Sequence, residues 1–131
     1  MNESILVVED NYEIREGTSE LLALEGFQVT TADCGIDAIR QTNTHIPDLI
    51  ICDIVMPGMD GFEVLIILRK DKRTEMIPFI FSTAKSEPLD EKKAKNFGIT
   101  SYLIKPFDGQ QLLACIKKHS LVFDNYQLKN I

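Results

Sequence analysis

The sequence lacks a long hydrophobic run. Nowhere in its 131 residues are there the roughly 18 consecutive apolar positions that a membrane-spanning helix requires, so no membrane role is expected. Residues 1–4 are polar and already include Glu3, which is unlike a secretory leader; a cytoplasmic location is the expectation. Cysteine is scarce. The three present, Cys34, Cys52 and Cys115, are odd in number, widely spaced and without a CxxC or zinc-ligand pattern. Reduced, buried thiols are therefore expected. Basic charge is in deficit: 14 Lys and Arg stand against 20 Asp and Glu, a net charge of −6. Without a basic face to neutralise phosphates, direct nucleic-acid binding by this chain is disfavoured. Repeats, low-complexity tracts and internal linkers are also missing, and the length suits one domain. A composition of 44% hydrophobic and 26% charged residues excludes collagen-like, disordered and disulfide-scaffold chains and supports an ordinary core.

What is there is alternation. Ile5-Leu6-Val7-Val8 is a compact β-rich run that stops at Glu9-Asp10-Asn11. Ile14, Thr18, Leu21, Leu22 and Glu25 follow at helical spacing, and Gly26 closes that helix. Residues 27–32 read as a second, alternating strand, and Ile36, Ala38 and Ile39 begin a short helix ending before Pro47. Leu49-Ile50-Ile51-Cys52 is continuously apolar, the pattern of a central parallel strand buried on both faces. Pro57-Gly58 and Asp60-Gly61 mark a loop. Phe62, Leu65, Ile66 and Leu68 carry a third helix, stopped by the charged run 69–73. A fourth strand is predicted over 77–81, with Pro78 near its start, and a charged fourth helix from about Pro88 to Phe97, closed by Gly98. Ser101-Tyr102-Leu103-Ile104 reads as a fifth strand. A fifth helix starts near Asp108 and carries Leu112, Leu113 and Ile116. Five strands alternating with five helices predict a doubly wound α/β domain with a parallel sheet. Ligands of such folds sit beyond the C-terminal strand ends.

Those ends carry an unusual set of side chains. Glu9 and Asp10 follow the first strand, Asp53 the third, Ser82-Thr83-Ala84 the fourth, and Lys105-Pro106 the fifth. Three carboxylates converging on one sheet edge repel one another unless a cation lies among them. A hard divalent ion with oxygen ligands, Mg²⁺, suits that position. Lys105 adds a second positive charge and Thr83 a hydrogen-bond donor.

The motifs Glu9-Asp10, D-x-x-M-P-x-M-D-G over 53–61, Thr83-Ala84 and Lys105-Pro106 together resemble the receiver domain of two-component response regulators. The resemblance runs from about Ile5 to Lys118. It implies the five-stranded flavodoxin-like or CheY-like sheet with strand order 2-1-3-4-5, a receiver domain over 1–119, and a tail or linker helix over 120–131. It also implies roles. Asp53 would accept a phosphoryl group and become an acyl phosphate, a form of covalent catalysis that only transfers the group onto and off the chain itself. Asp10 would bind Mg²⁺ directly, Glu9 directly or through water, and the Val55 backbone carbonyl would be a further ligand beside Asp53. Mg²⁺ and Lys105 would neutralise the phosphoryl oxygens. Thr83 would hydrogen-bond the attached group and Tyr102 would occupy an aromatic switch position. A cis Lys105–Pro106 bond is expected from the family. The partners implied are a sensor histidine kinase or histidine phosphotransfer protein as donor, and a downstream protein or separate output domain as target. A homodimer through the fourth helix, fifth strand and fifth helix is also implied.

Two departures matter. Glu9 stands where Asp is frequent, keeping the charge on a longer arm. Val55 places an apolar side chain where a polar one would orient the hydrolytic water, which predicts slow to moderate self-dephosphorylation, with Lys85 still near. Three competing readings turn on particular residues. A phosphohydrolase of the haloacid-dehalogenase type needs an Asp at position 55. A flavodoxin-like cofactor binder needs a Ser/Thr/Gly-rich loop where 9–13 is acidic. A receiver-fold module could also act by phosphorylation-independent binding. Neither His45 nor His119 has a partner at metal spacing, and Cys52 belongs to a buried strand where thiols are inert. In the tail, Leu112, Ile116, His119, Phe123 and Tyr126 continue a helical spacing, which fits either an extended amphipathic helix or a frayed end.

Overall fold

The computed structural model describes residues 3–87, 89–99 and 102–129, with side chains described as far as 119. Ten elements alternate: β1 Ser4–Val8, α1 Tyr12–Leu24, β2 Gln28–Ala32, α2 Gly35–Thr44, β3 Leu49–Asp53, α3 Gly61–Arg69, β4 Phe79–Ala84, α4 Glu91–Asn96, β5 Tyr102–Lys105 and α5 Gly109–Lys129. The strands form one parallel sheet in the order β2-β1-β3-β4-β5, as expected.

Alternate residues of the inner strands point to opposite faces, and the core is accordingly two cores. Leu6, Val8, Ile50, Cys52, Phe79 and Phe81 meet Ala38 of α2, Val64, Leu65 and Leu68 of α3, and Ala94 of α4. Ile5, Val7, Ile51, Ile80 and Leu103 meet Leu22 of α1 and Leu112 and Ile116 of α5 on the other face. This two-sided burial is why β1 and β3 are buried at every position, and why Leu49-Ile50-Ile51-Cys52 shows no alternation. The edge strand β2 does alternate, with Gln28 and Thr30 exposed.

The helix starts are set by short polar side chains. Asn11 caps α1 by accepting from the Ile14 amide. Asp60 and Glu63 form a reciprocal capping box at α3, worth about 1 kcal/mol in typical cases. Gly26, with φ of +94°, takes the left-handed turn after α1 that a side chain would disfavour.

Several boundaries differ from the sequence reading. β4 begins at Phe79, not Ile77, and runs on through Ser82, Thr83 and Ala84, which pair with Leu103, Ile104 and Lys105. Pro78 has no N–H to contribute; its carbonyl instead accepts from Ile50. Asp53 and Lys105 are likewise the last residues of their strands rather than the first beyond them. α4 is only Glu91–Asn96, because Asp90 caps it by accepting from Lys93; the expected start at Pro88 and the strand residue Ser101 lie outside the described residues. None of the three cysteines is in a disulfide, but only Cys52 is buried, while Cys34 and Cys115 are half-exposed. α5 continues as helix to Lys129; the side chains of Phe123 and Tyr126 lie outside the described ones. Among the described residues no helix is long and apolar enough to cross a membrane.

Gly61 sets how closely α3 approaches β3. Its amide donates to the Ile54 carbonyl at 2.8 Å. A Cβ there would collide with the Asp53 carbonyl oxygen and lie 2.9 Å from the Ile54 Cα. Backbone cannot swing aside as a side chain can. Gly61→Ala should therefore cost about 2 kcal/mol despite the better helix propensity of alanine, read as a lower urea midpoint at unchanged m-value.

Candidate functional site

The sheet register brings the acidic residues together. Val8 pairs with Cys52, so Glu9 and Asp53 follow side by side at the C-terminal ends of the two central strands. Glu9 remains tied to the sheet through its amide, which donates to the Ala32 carbonyl at 3.0 Å, and Asp53 is followed by an Ile54 amide bonded to Ser82. Glu9 and Asp53 are almost wholly buried, with 4% and 3% exposure, a costly placement for carboxylates without a partner.

The partner is Lys105. Its Nζ lies 2.9 Å from Glu9 Oε1 and 3.1 Å from Asp53 Oδ1, so one ammonium ties the ends of β1, β3 and β5. Burial alone would lower the Lys105 pKa, but the hydrogen bond and charge of Glu9, joined by the charge of Asp53, outweigh it and hold the ammonium above its usual range. Asp53 is affected in the opposite sense. Burial first, and then the charge of Glu9, push its carboxyl up to about 7 against the opposing pull of Lys105. One cation shared between two buried carboxylates leaves the pair short of positive charge.

Glu9, Asp10 and Asp53 can each offer a carboxylate oxygen within 4.8 Å of the others. Asp10 is exposed at the rim, and the two buried members line the floor. Asp53 Oδ1 is buried and accepts no hydrogen bond despite its closeness to Lys105. An all-oxygen cluster with excess negative charge and one under-coordinated buried oxygen fits a hard divalent cation.

Not all of the remaining expected residues join this cluster. Thr83, 2% exposed, is the last residue but one of β4, on the same edge; its hydroxyl donates to the Ala84 carbonyl at 3.3 Å and to Glu87 Oε2 at 3.4 Å. Tyr102 pairs with Phe81 across the β4–β5 ladder and is half-buried against the core face that holds Phe81 and Ala94. Burial, then the charges of Glu91 and Asp90, raise its phenol pKa. The Val55 side chain is 51% exposed, beside the site and open to water. The Lys105–Pro106 peptide is cis. Lys85 is exposed. Cys52 is fully buried, and burial, followed by the charges of Asp53 and Glu9, pushes its thiol well above the ordinary range, which suppresses thiolate chemistry. His45 lies away from the cluster, its Nε2 3.2 Å from Ser4 Oγ.

Two residues at this edge were not singled out from sequence. Arg15 on α1 donates to the Glu9 carbonyl at 2.9 Å and the Asp10 carbonyl at 3.5 Å, bracing the loop that carries the acidic pair. Its guanidinium also lies over the Tyr12 ring, 5.4 Å from the centroid. An arginine one helical turn after an acidic pair was the available signal. Glu87 reaches back to Thr83 only because its amide closes a turn onto Ala84 at 3.0 Å, which no spacing rule reveals.

The response regulator receiver domain family matches residues 5–117. The chain belongs to the response regulator receiver family. It is 40% identical over 117 residues to the "Probable transcriptional regulator ycf29" of Porphyra purpurea, covering 89% of this chain and 56% of that one. The chain spans about half the length of the curated relatives it matches. Among solved structures, Vibrio cholerae chemotaxis protein CheY4 superposes with a TM-score of 0.85 at 30% identity, covering 91% of this chain and 99% of that one. The receiver domain of the Pseudomonas aeruginosa sensor histidine kinase PA1611, solved with magnesium in its active-site cleft, superposes with a TM-score of 0.81 at 28% identity, covering 91% and 98%. The fold is thus the CheY-like receiver fold, and the family is one of signalling phosphoacceptors in two-component systems that bind Mg²⁺.

The raised Asp53 pKa has a consequence for stability. Between the unfolded carboxyl pKa near 4 and the folded value of about 7, the folded chain binds the extra proton, so stability falls as pH rises through that window. Above it the whole cost of a buried charge is present. In metal-free buffer Asp53→Asn should therefore be more stable than the parent by about 1–3 kcal/mol at pH 8, the gain shrinking toward pH 4. Urea unfolding at both pH values measures it.

Proposed function

We propose that this receiver domain accepts a phosphoryl group on Asp53 and uses the resulting charge to reset the surface formed by α4, β5 and α5. The observation that carries the reading is the buried triad of Glu9, Asp53 and Lys105, in which Asp53 keeps one oxygen without a hydrogen bond.

Asp10 and Asp53, the Val55 backbone carbonyl and Glu9, directly or through water, would hold Mg²⁺, which when bound supplies positive charge to the phosphoryl oxygens. The chain's own residues do the rest. An ionised Asp53 oxygen forms the new bond to phosphorus as the bond to the donor breaks, and the leaving group departs with its electron pair. Lys105, already 3.1 Å from Asp53, turns its ammonium onto the transferred group and offsets its charge. Thr83 donates its hydroxyl proton to a phosphoryl oxygen, and Tyr102, half-buried beside the space Thr83 leaves, moves inward. The phosphoryl group adds about −1.5 to −2 charge, enough to bias a two-state surface.

The donor is a histidine on a kinase or phosphotransfer protein. The output is a partner protein or a further domain, with pairing of two copies through α4, β5 and α5 as one form of it. Self-dephosphorylation is slow to moderate, because Val55 cannot hydrogen-bond an attacking water.

Incubation with acetyl phosphate and Mg²⁺ should add the mass of one phosphoryl group to the intact chain, and Asp53→Asn should abolish the gain. If the parent gains no mass and also fails to bind beryllofluoride, the phosphoacceptor reading is wrong and a phosphorylation-independent binding role takes its place. Val55→Asn should shorten the acyl-phosphate lifetime by roughly 3- to 10-fold, the scale of one hydrogen bond to the attacking water, measured by mass decay after removal of the donor. An unchanged lifetime would rule out the role given to Val55.

A further inference from the structure

We infer that Glu87 is a positioning residue that restrains the Thr83 hydroxyl in the unphosphorylated state. The inference rests on the phosphoacceptor reading of Asp53 and adds a restraint on the switch itself.

Thr83 is 2% exposed, so its hydroxyl must be satisfied within the protein. It carries one proton. The acceptors offered are the Ala84 carbonyl at 3.3 Å and Glu87 Oε2 at 3.4 Å; both belong to the segment leading out of β4, and neither is Asp53. The Glu87 amide donates to the same Ala84 carbonyl at 3.0 Å. The carbonyl therefore serves two donors, while the carboxylate approaches Thr83 as a charged acceptor. A turn of four residues thus folds Glu87 back over the hydroxyl that must turn toward a phosphoryl group on Asp53.

The competition is direct. One proton cannot serve the Glu87 carboxylate and a phosphoryl oxygen together, so part of the gain on phosphorylation is spent breaking this contact. The restraint is weak at 3.4 Å, as a reversible switch requires: a strong one would hold the domain off against the phosphoryl charge. Glu87 also borders, with Lys105, the groove between α1 and the β5–α5 loop. Its negative charge alone would therefore oppose an incoming anion, and the test has to separate that effect from the bond to Thr83.

The test compares the parent, Glu87→Ala, Glu87→Gln, Thr83→Ala and the Thr83→Ala/Glu87→Ala double variant. Each is titrated with beryllofluoride in Mg²⁺ and followed by amide NMR shifts over residues 82–87 and at Tyr102. Glu87→Ala should half-saturate at a beryllofluoride concentration about 3- to 10-fold lower than the parent, the scale of one weak hydrogen bond. Glu87→Gln, which keeps an acceptor without the charge, should fall between. In the Thr83→Ala background the same Glu87→Ala change should raise affinity clearly less than in the parent, because only the effect of charge remains there and the difference between the two backgrounds is the part that passes through the pair. Before ligand is added, the Glu87→Ala shifts should already be displaced toward the bound positions. An affinity equal to the parent's overturns the restraint. An equal gain with and without Thr83 overturns it as well and assigns the effect to charge alone. If the parent itself fails to bind, the phosphoacceptor reading falls and the restraint falls with it; binding by the parent with no cycle energy removes the restraint only.

Discussion

Everything at the C-terminal edge of the sheet depends on one ammonium between two buried carboxylates. Lys105 lies 2.9 Å from Glu9 and 3.1 Å from Asp53, and each contact spans a different strand end. The sheet register fixes where the carboxylates stand; Lys105 makes their burial tolerable. Its charge is not sufficient for both, as the upward shift of Asp53 to about 7 records. Full neutralisation of this edge would gain stability and remove the charge deficit on which the proposed cation and phosphoryl chemistry draws. In the proposed phosphoacceptor role that deficit is what the site uses, and the two-faced core beneath it supplies the stability that the edge forgoes.

That core also explains why so much of the fold could be read from sequence. Strands buried on both faces read as unbroken apolar runs, and 49–52 has that form because Ile50 and Cys52 face one core and Leu49 and Ile51 the other. Strand 2 alternates because it is an edge. Element order followed from these patterns, and the positions of Glu9, Asp53, Thr83 and Lys105 followed from element order. The boundaries were less legible. Ser82-Thr83-Ala84 reads as polar punctuation, yet it is strand, because pairing with Leu103, Ile104 and Lys105 satisfies its backbone. α4 is shorter than its charged stretch suggests, since its start is set by the Asp90 cap and little of it is buried besides Ala94.

Contacts made through loops were not legible at all. Arg15 reaches the carbonyls of Glu9 and Asp10, and Glu87 reaches Thr83, through geometry that exists only after the chain has turned. Gly61 is a similar case. In sequence it is one of two glycines in a loop. In the structure it is the place where α3 touches the backbone of Asp53 and Ile54, so the helix start and the position of Asp53 cannot move independently. These residues set how the site is held, whereas the motif residues set what it can do.

Glu9 shows how a single methylene redistributes the work of such a site. Its longer arm lets Oε1 reach Lys105 at 2.9 Å while Oε2 accepts from the Asn11 amide at 3.3 Å. Both oxygens are thereby engaged. Direct coordination of a cation by Glu9 would require Oε2 to give up the Asn11 amide, the longer of its two bonds and the weaker on distance grounds. Asp10, exposed at the rim, faces no such exchange, and Asp53 Oδ1, which accepts no hydrogen bond, has only its 3.1 Å ion contact with Lys105 to adjust. For the proposed Mg²⁺ site, Asp10 and Asp53 would therefore be the readier ligands, while Glu9 anchors Lys105. Participation of Glu9 through water costs it neither of its present bonds. The same extra length that keeps the charge of the acidic pair thus moves Glu9 from holding the cation toward holding the lysine.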